Sequence, residues 1–321
     1  MLNTSLSYWA KTDAALQSRM AIVRRNFFTI FAKINIYRAE LKRICKIFAL
    51  LLVFFASSVQ LNAGIKEDVE HLSDSLLQGR RPGSRGGAEA AAFIYRRFQQ
   101  SGFVPRLQSF MTEKGVCRNV YVVCNGNPKS SKYTLVCAHF DGLGIYDGAL
   151  YPGADSNASG VAVLLDVAAR ASKDGRNLIF VALDSHADGM AGAIEFAALP
   201  YKISMAVNLD TIGSTLAPPN KYRPDFLIAL GGKEYEKQLE KANAGPRLRL
   251  YYDYYRSKAF TDYFYNKASD QVPFMRKGAK AVMFTSGITM NTNKPDDGPE
   301  TLDYEVLQRR SDLILTWIDS L

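Results

Sequence analysis

Apolar and polar residues follow two periods along this chain, one typical of helices and one typical of strands. Helical spacing covers residues 88–100, 160–172, 191–198, 234–243 and 304–318. Alternating or continuous apolar runs predict strands at residues 104–110, 119–124, 135–138, 178–184, 206–210 and 281–284. Because helices and strands alternate, the pattern predicts a three-layer α/β/α sandwich with a mixed, mostly parallel central sheet.

The N-terminal part of the chain has the pattern of an export signal. An apolar run of 13 residues, 47–59, follows the basic residues Lys42, Arg43 and Lys46. Such a run predicts a signal peptide cleaved after Ala63 and a secreted or periplasmic protein. As a helix the run spans about 20 Å, which is short for a bilayer, so we expect membrane contact only if the signal remains uncleaved. The predicted organisation is a leader at 1–63 and one domain at 64–321.

The net charge of +9 is concentrated in that leader. Nine basic and two acidic residues precede residue 47, so the rest of the chain carries only +2. A nearly neutral body gives no electrostatic footprint for nucleic acid, and we expect no nucleic-acid partner. The cysteines of the body, Cys117, Cys124 and Cys137, are predicted to be buried and unpaired, since Cys117 and Cys124 face opposite sides of one strand.

Polar side chains stand where the predicted strands end. His139 and Asp141 follow the strand at 135–138. Asp184 ends the strand at 178–184 and His186 comes shortly after it, and Asp210 ends the strand at 206–210. Sites in open α/β folds gather at the carboxyl ends of strands. Imidazole and carboxylate groups there are typical zinc ligands, although a histidine at a strand end is also commonly a simple hydrogen-bonding residue.

Seven segments occur in an order that resembles a known family. They are GRRPGSRG (79–86), AHFDGLG (138–144), GADSNASG (153–160), LIFVALDSHADGMAGA (178–193), AVNLDTIG (206–213), SDQVPF (269–274) and PDDGPETLDYE (295–305). This set resembles the zinc aminopeptidases that include bacterial leucyl aminopeptidases and the glutaminyl cyclases. The resemblance covers residues 66–321 and implies a zinc-peptidase fold for this region.

The resemblance also implies a set of metal ligands, of which two are retained. The first histidine ligand of the family falls on His139, with Asp141 as the carboxylate that orients it. The ligand after the AVNL strand falls on Asp210. In the family these two ligands bind the same metal ion.

The other functional positions of the family are substituted. The carboxylate that bridges the two metals falls on Ser156, the general base on His186, the next ligand on Ala187 and the last histidine on Asn293. Because serine, alanine and asparagine are poor or impossible zinc ligands, we expect either no zinc or one weakly bound zinc. The single zinc of the glutaminyl cyclases would need Ser156, Ala187 and Asn293 as its ligands, which excludes that activity.

His186 leaves two interpretations open. With His139 and Asp210 it would form a new site of two histidines and one carboxylate, which is known from zinc enzymes, or it would act at the position of the general base. Alternatively, it is a structural residue hydrogen-bonded to Asp210 or Asp184.

An aromatic-rich segment at 251–265 precedes SDQVPF. It is predicted to pack structurally, with the lining of a ligand pocket as the alternative. Ser269 and Asp270 match a family segment near the site and receive no catalytic role.

Three functions remain. The first is an aminopeptidase homologue that has lost hydrolysis and binds a peptide or small amino-terminal ligand in the former active cleft. The second is an active zinc aminopeptidase with a rebuilt one-metal site. The third is an interaction or scaffold protein that acts through an outer surface.

Overall fold

The computed structural model describes residues 64–253 and 255–321 of the chain. Its strands are β1 (Arg106–Thr112), β2 (Gly115–Asn125), β3 (Lys132–His139), β4 (Gly144–Tyr146), β5 (Ala149–Tyr151), β6 (Asn177–Leu183), β7 (Lys202–Leu209), β8 (Phe226–Leu230), β9 (Arg249–Tyr252) and β10 (Lys280–Thr285). Its helices are α1 (Ile65–Leu72), α2 (Arg85–Gln100), α3 (Ser159–Arg170), α4 (Ala191–Ala197), α5 (Glu236–Ala242), α6 (Lys258–Asn266), α7 (Val272–Arg276) and α8 (Tyr304–Ile318).

Eight strands form one mixed sheet in the order β1-β2-β6-β3-β7-β10-β8-β9. The four central strands β6, β3, β7 and β10 are parallel, whereas β1, β2 and β8 pair antiparallel with their inner neighbours. All seven residues of β6 are buried, as expected for a strand covered on both faces. The predicted mixed, mostly parallel sheet is confirmed.

Helices cover both faces of the sheet and complete the three layers. Along β2, Val120 and Val122 belong to the apolar core of one face, while Tyr121 and Val123 belong to the core of the other. This alternation follows from the two-residue period of a strand. Helices α1, α2, α3, α5 and α8 contribute to the first core, and α4 and α7 contribute to the second.

Local sequence signals account for several helix boundaries. The side chain of Ser84 accepts a hydrogen bond from the N–H of Gly87 and caps α2. Asp303 accepts one from the N–H of Val306 and caps α8, the helix predicted at 304–318. Such side chains bind N–H groups that have no partner within the helix.

Other elements differ from the prediction. The strand predicted at 104–110 begins only at Arg106. The elements that were not predicted are α1, α6, α7, β8, β9 and the short β4–β5 hairpin. Periodicity does not distinguish the five apolar residues of β8 from a turn of buried helix. The elements β9 and α6 lie in the aromatic-rich segment, where aromatic side chains serve both kinds of structure.

The predicted leader and its cleavage after Ala63 lie outside the described residues and stay predictions. Among the described residues, no helix has the length and apolar composition needed to cross a membrane. Cys117, Cys124 and Cys137 are buried and free, which confirms that prediction.

Candidate functional site

Parallel pairing brings the predicted site residues to one edge of the sheet. His139 ends β3 and lies opposite Leu183, the last residue of β6. Asp210 directly follows β7, and His186 opens a single 3-10 turn, His186–Asp188, shortly after β6. Because the carboxyl ends of parallel strands meet at the same edge, these side chains converge.

His139 is held in a defined orientation at this edge. Its Nδ1 lies 3.2 Å from the carbonyl oxygen of Asp141 and 3.6 Å from the Asp141 carboxylate. A carbonyl oxygen only accepts hydrogen bonds, so Nδ1 carries the proton. The other ring nitrogen, Nε2, lies 3.7 Å from Oδ1 of Asp210. His139 therefore presents Nε2 toward Asp210, while Asp141 orients its ring.

His186 is anchored in the same way by a carboxylate that the sequence did not assign. Its Nδ1 lies 2.8 Å from Oδ2 of Asp270, which is fully buried. The predicted partners of the structural interpretation, Asp210 and Asp184, were therefore wrong. Asp270 lies in the loop before α7, and its segment, SDQVPF, was the only sequence signal that could have pointed to it.

Both carboxylates that line the site are already engaged by hydrogen bonds. Asp141 accepts the backbone N–H groups of His186 and Ala187, at 2.9 and 3.2 Å. Asp210 accepts the hydroxyl groups of Thr211 and Ser269, at 3.0 and 3.3 Å. Asp141 thus fixes the loop that carries His186, and Asp210 is held in place by two neighbouring hydroxyl groups.

The close packing of these groups shifts their pKa values. Burial opposes charge on His139, but the hydrogen bonds and charges of Asp141 and Asp210 outweigh it and raise the His139 pKa well above its usual value. Burial likewise opposes charge on Asp210, yet His139 and His186 lower the Asp210 pKa to about 2. For His186, the charge of Asp270 outweighs burial and raises the pKa.

His139, His186 and Asp210 form a set of potential metal ligands. One ligand atom from each lies within 4.8 Å of the other two. Two imidazole nitrogens and one carboxylate oxygen match the composition of catalytic zinc sites, which keep a fourth position open. Hydrogen bonds from the far nitrogen of each ring to carboxylate or carbonyl groups are typical of histidines that bind zinc. The donor set therefore fits a single zinc ion.

The substituted positions face the same cavity, which has a volume of about 410 Å³. Ser156, Ala187 and Asn293 all line it, and Ala187 and Asn293 are exposed. None of the three carries a carboxylate or imidazole group. The complete lining in the described chain is His139, Asp141, Gly142, Leu143, Ser156, His186, Ala187, Gly189, Met190, Asp210, Thr211, Tyr263, Phe264, Lys267, Ala268, Ile288, Thr292 and Asn293.

A buried arginine connects the loops around this cavity. The guanidinium group of Arg80 donates to the carbonyl oxygens of Phe140 at 2.7 Å, Pro152 at 2.7 Å and Gly153 at 2.9 Å, and also to that of Leu72. Phe140 stands between His139 and Asp141, and Gly153 opens the loop that carries Ser156. Arg80 therefore links the segment that carries the retained residues His139 and Asp141 to the loop that carries the substituted residue Ser156.

A buried carboxylate pair shapes the loop of Ser156. Asp297 accepts the backbone N–H groups of Asp155 and Ser156, at 2.8 and 3.1 Å. The Asp155 side chain accepts those of Gly213 and Ser214, at 2.6 and 3.1 Å. Burial, together with the charge of Asp297, raises the Asp155 pKa to about 7.

The aromatic-rich segment serves both predicted purposes. Tyr255 is buried in a core with Phe226 and Met283, against which Phe260 packs. The cavity is lined by Tyr263 and Phe264 of α6, so the same segment also forms part of its wall. Tyr254 lies outside the described residues.

A mixed sheet between two helical layers, with imidazole and carboxylate groups at the carboxyl ends of its central strands, defines a metallopeptidase type of fold. The family model of peptidase family M28 matches residues 119–318, well over half of the chain. The chain belongs to this family.

Solved structures of the same fold are numerous. A zinc aminopeptidase from Bacillus subtilis superposes with a TM-score of 0.65 at 12% identity, covering 80% of this chain and 93% of that one. LapB from Legionella pneumophila superposes with a TM-score of 0.63 at 21% identity, covering 80% of this chain and 70% of LapB. The glutaminyl cyclase of Porphyromonas gingivalis superposes with a TM-score of 0.61 at 17% identity, covering 80% of this chain and 97% of the cyclase. These similarities establish the fold.

A curated relative by sequence is the uncharacterized protein YfbL of Escherichia coli. It is 29% identical over 135 residues, which cover 39% of this chain and 41% of YfbL. The match thus spans less than half of either protein.

Proposed function

We propose that this chain has lost the two-metal hydrolysis of its family and binds the amino-terminal end of a peptide in its cavity. One observation carries this proposal: the side chains at the former ligand positions that face the cavity are Ser156, Ala187 and Asn293. The resemblance places the bridging carboxylate and two further ligands there. A hydrolase of this type needs a metal-bound nucleophile and a group that accepts its proton.

The cavity retains features that suit a peptide amino terminus. Asp141 and Asp210 supply carboxylate oxygens that can accept hydrogen bonds from an ammonium group. Together with His139 and His186 they form one end of the cavity, which we call the floor. The low pKa of Asp210 keeps this carboxylate ionised at neutral pH. Leu143, Met190, Phe264 and Ile288 form an apolar wall, suited to a hydrophobic first side chain.

Calorimetric titration with leucyl-glycine and with its N-acetyl derivative tests the binding. We expect binding of the free amine and loss of binding on acetylation, because an uncharged amide has no attraction to the floor. The variant Asp210→Asn should weaken binding, whereas Asp262→Asn, on the exposed face of α6, should not. Equal binding of both peptides would contradict the proposal.

Hydrolysis is tested on the same protein supplied with zinc. A panel of aminoacyl and dipeptide substrates should show no turnover above that of a control variant that carries both His139→Ala and Asp210→Ala. Turnover that disappears on chelation and returns with added zinc would show that hydrolysis has been retained.

A second candidate function is an aminopeptidase with a rebuilt one-metal site. It is favoured by the convergence of His139, His186 and Asp210 and by the hydrogen bonds that orient both rings. These three residues would hold the ion; zinc at such a site polarises a carbonyl group and lowers the pKa of bound water. Metal analysis of wild type, His139→Ala and His186→Ala, alongside the substrate panel, separates the two functions. Stoichiometric zinc with activity lost in both variants favours the second.

A further inference from the structure

An isolated positive charge stands at the outer end of the cavity. Lys267 follows α6 directly, is exposed and lines the cavity. In the described part of the chain no carboxylate pairs with its ammonium group. In the described chain the other histidine, acidic and basic residues of the lining are the four of the floor. Because Lys267 is exposed whereas His139, Asp141 and Asp210 are buried, we call its position the rim of the cavity.

The backbone limits the distance between this lysine and the floor. Two residues and three peptide units separate Lys267 from Asp270, which hydrogen-bonds to His186, and Ser269 between them donates to Asp210. Three trans peptide units span at most about 11 Å between α-carbons. The backbone N–H of Lys267 donates to the carbonyl of Tyr263 at 3.0 Å, which fixes the start of this short segment.

A separation within this limit suits a very short peptide. An extended dipeptide places its amino and carboxylate groups about 7 Å apart. The flexible lysine side chain reaches over the remaining distance. A cavity of about 410 Å³ also lies within the range that holds small ligands. A zwitterionic peptide would place its amine at the floor, its apolar side chain against the wall and its carboxylate at the rim, near Lys267.

We propose that the cavity selects short peptides with a free α-carboxylate, chiefly dipeptides, and that Lys267 is the residue that binds this carboxylate. The proposal rests on the amino-terminal binding proposed above. A longer peptide or a protein amino terminus presents a neutral peptide bond at the rim and gains nothing from Lys267.

Calorimetric titration with leucyl-glycine and leucyl-glycinamide measures this contribution. Wild type is expected to bind the carboxylate form about three- to fivefold more tightly, the range of a solvent-exposed ion pair. Lys267→Met should bind both forms equally. The matched control Lys258→Met, at the exposed start of α6, should keep the preference. High salt should reduce the preference in wild type, because exposed charges are screened.

The remaining outcomes separate a failure of the role of Lys267 from a failure of amino-terminal binding. Equal wild-type affinity for both peptides, or a preference that survives in Lys267→Met, overturns the role of Lys267 while amino-terminal binding stands. If neither peptide binds, the amino-terminal proposal fails, and the inference built on it fails too.

Discussion

The imidazole rings of His139 and His186 stack nearly parallel, with an angle of 13° between their planes and 4.1 Å between their centroids. Each ring is tied through its Nδ1, His139 to Asp141 and His186 to Asp270. The two anchors approach from different elements, and Nε2 of His139 faces Oδ1 of Asp210 at 3.7 Å. The orientation of the pair therefore depends on the Asp141 carbonyl group and the Asp270 carboxylate as well as on the strands.

Zinc affinity should depend on Asp270. Replacing it in Asp270→Asn weakens the hydrogen bond that orients His186, and loss of such partners typically lowers metal affinity about 10- to 100-fold. Competition with a chromophoric chelator measures the effect, and the exposed Asp262→Asn serves as the control. Unchanged zinc affinity in Asp270→Asn would show that His186 is not a ligand.

Restoring the family residues should restore the second metal. The variant with Ser156→Asp, His186→Glu, Ala187→Glu and Asn293→His regains every position that the resemblance assigns to the two-metal site. We expect two zinc ions per chain and hydrolysis of leucine p-nitroanilide. The same variant with His186 kept should bind zinc without comparable turnover, because the base is missing. Failure to bind a second zinc would show that the loops have also changed shape.

Arg80 should contribute strongly to stability. In Arg80→Met, four carbonyl groups lose their buried donor, which should lower the free energy of unfolding by roughly 3–5 kcal/mol. Urea denaturation measures the change. Arg81→Met, at the adjacent exposed position, should change the free energy of unfolding by less than about 0.5 kcal/mol. Similar values for the two variants would contradict the connecting role of Arg80.

The buried Asp155 should make stability depend on pH. Its pKa is about 7 in the folded protein against 3.8 as the ordinary value, so the folded state retains a proton that the unfolded chain releases. The contribution of this carboxyl group to stability therefore decreases as the pH rises from about 4 to 7, by roughly 2–4 kcal/mol. Urea denaturation at pH 5 and pH 8 should show a smaller decrease in Asp155→Asn than in wild type. Equal decreases would place the titrating group elsewhere.

The sequence predicted the layers of the fold because long elements have strong periodicity. Helix α8 occupies the predicted residues 304–318, and β6 differs from its predicted range by one residue at each end. The short elements in the aromatic-rich segment were missed because their composition suits strand and helix alike. The apolar pattern therefore identified the longer elements of the core and failed for short ones, including the fully buried strand β8.

The part of the candidate site that lies at the ends of strands could be predicted from the sequence. His139 and Asp210 follow parallel strands, so their convergence follows from the sheet. Asp270 and Lys267 lie in a loop between α6 and α7, and no periodic pattern places a loop against a strand end. Arg80 was overlooked because an arginine in a Gly-Pro loop usually faces solvent, whereas here carbonyl groups from three segments surround it.

The register of the central sheet has a consequence for how such a protein changes over time. The backbone ladders that pair β3 with β6 and β7 make no use of Ser156, Ala187 or Asn293. Substitutions at those positions therefore alter chemistry without a folding penalty from the sheet. A lineage with this scaffold can therefore change its active-site chemistry one position at a time while the pairing of the central strands stays the same.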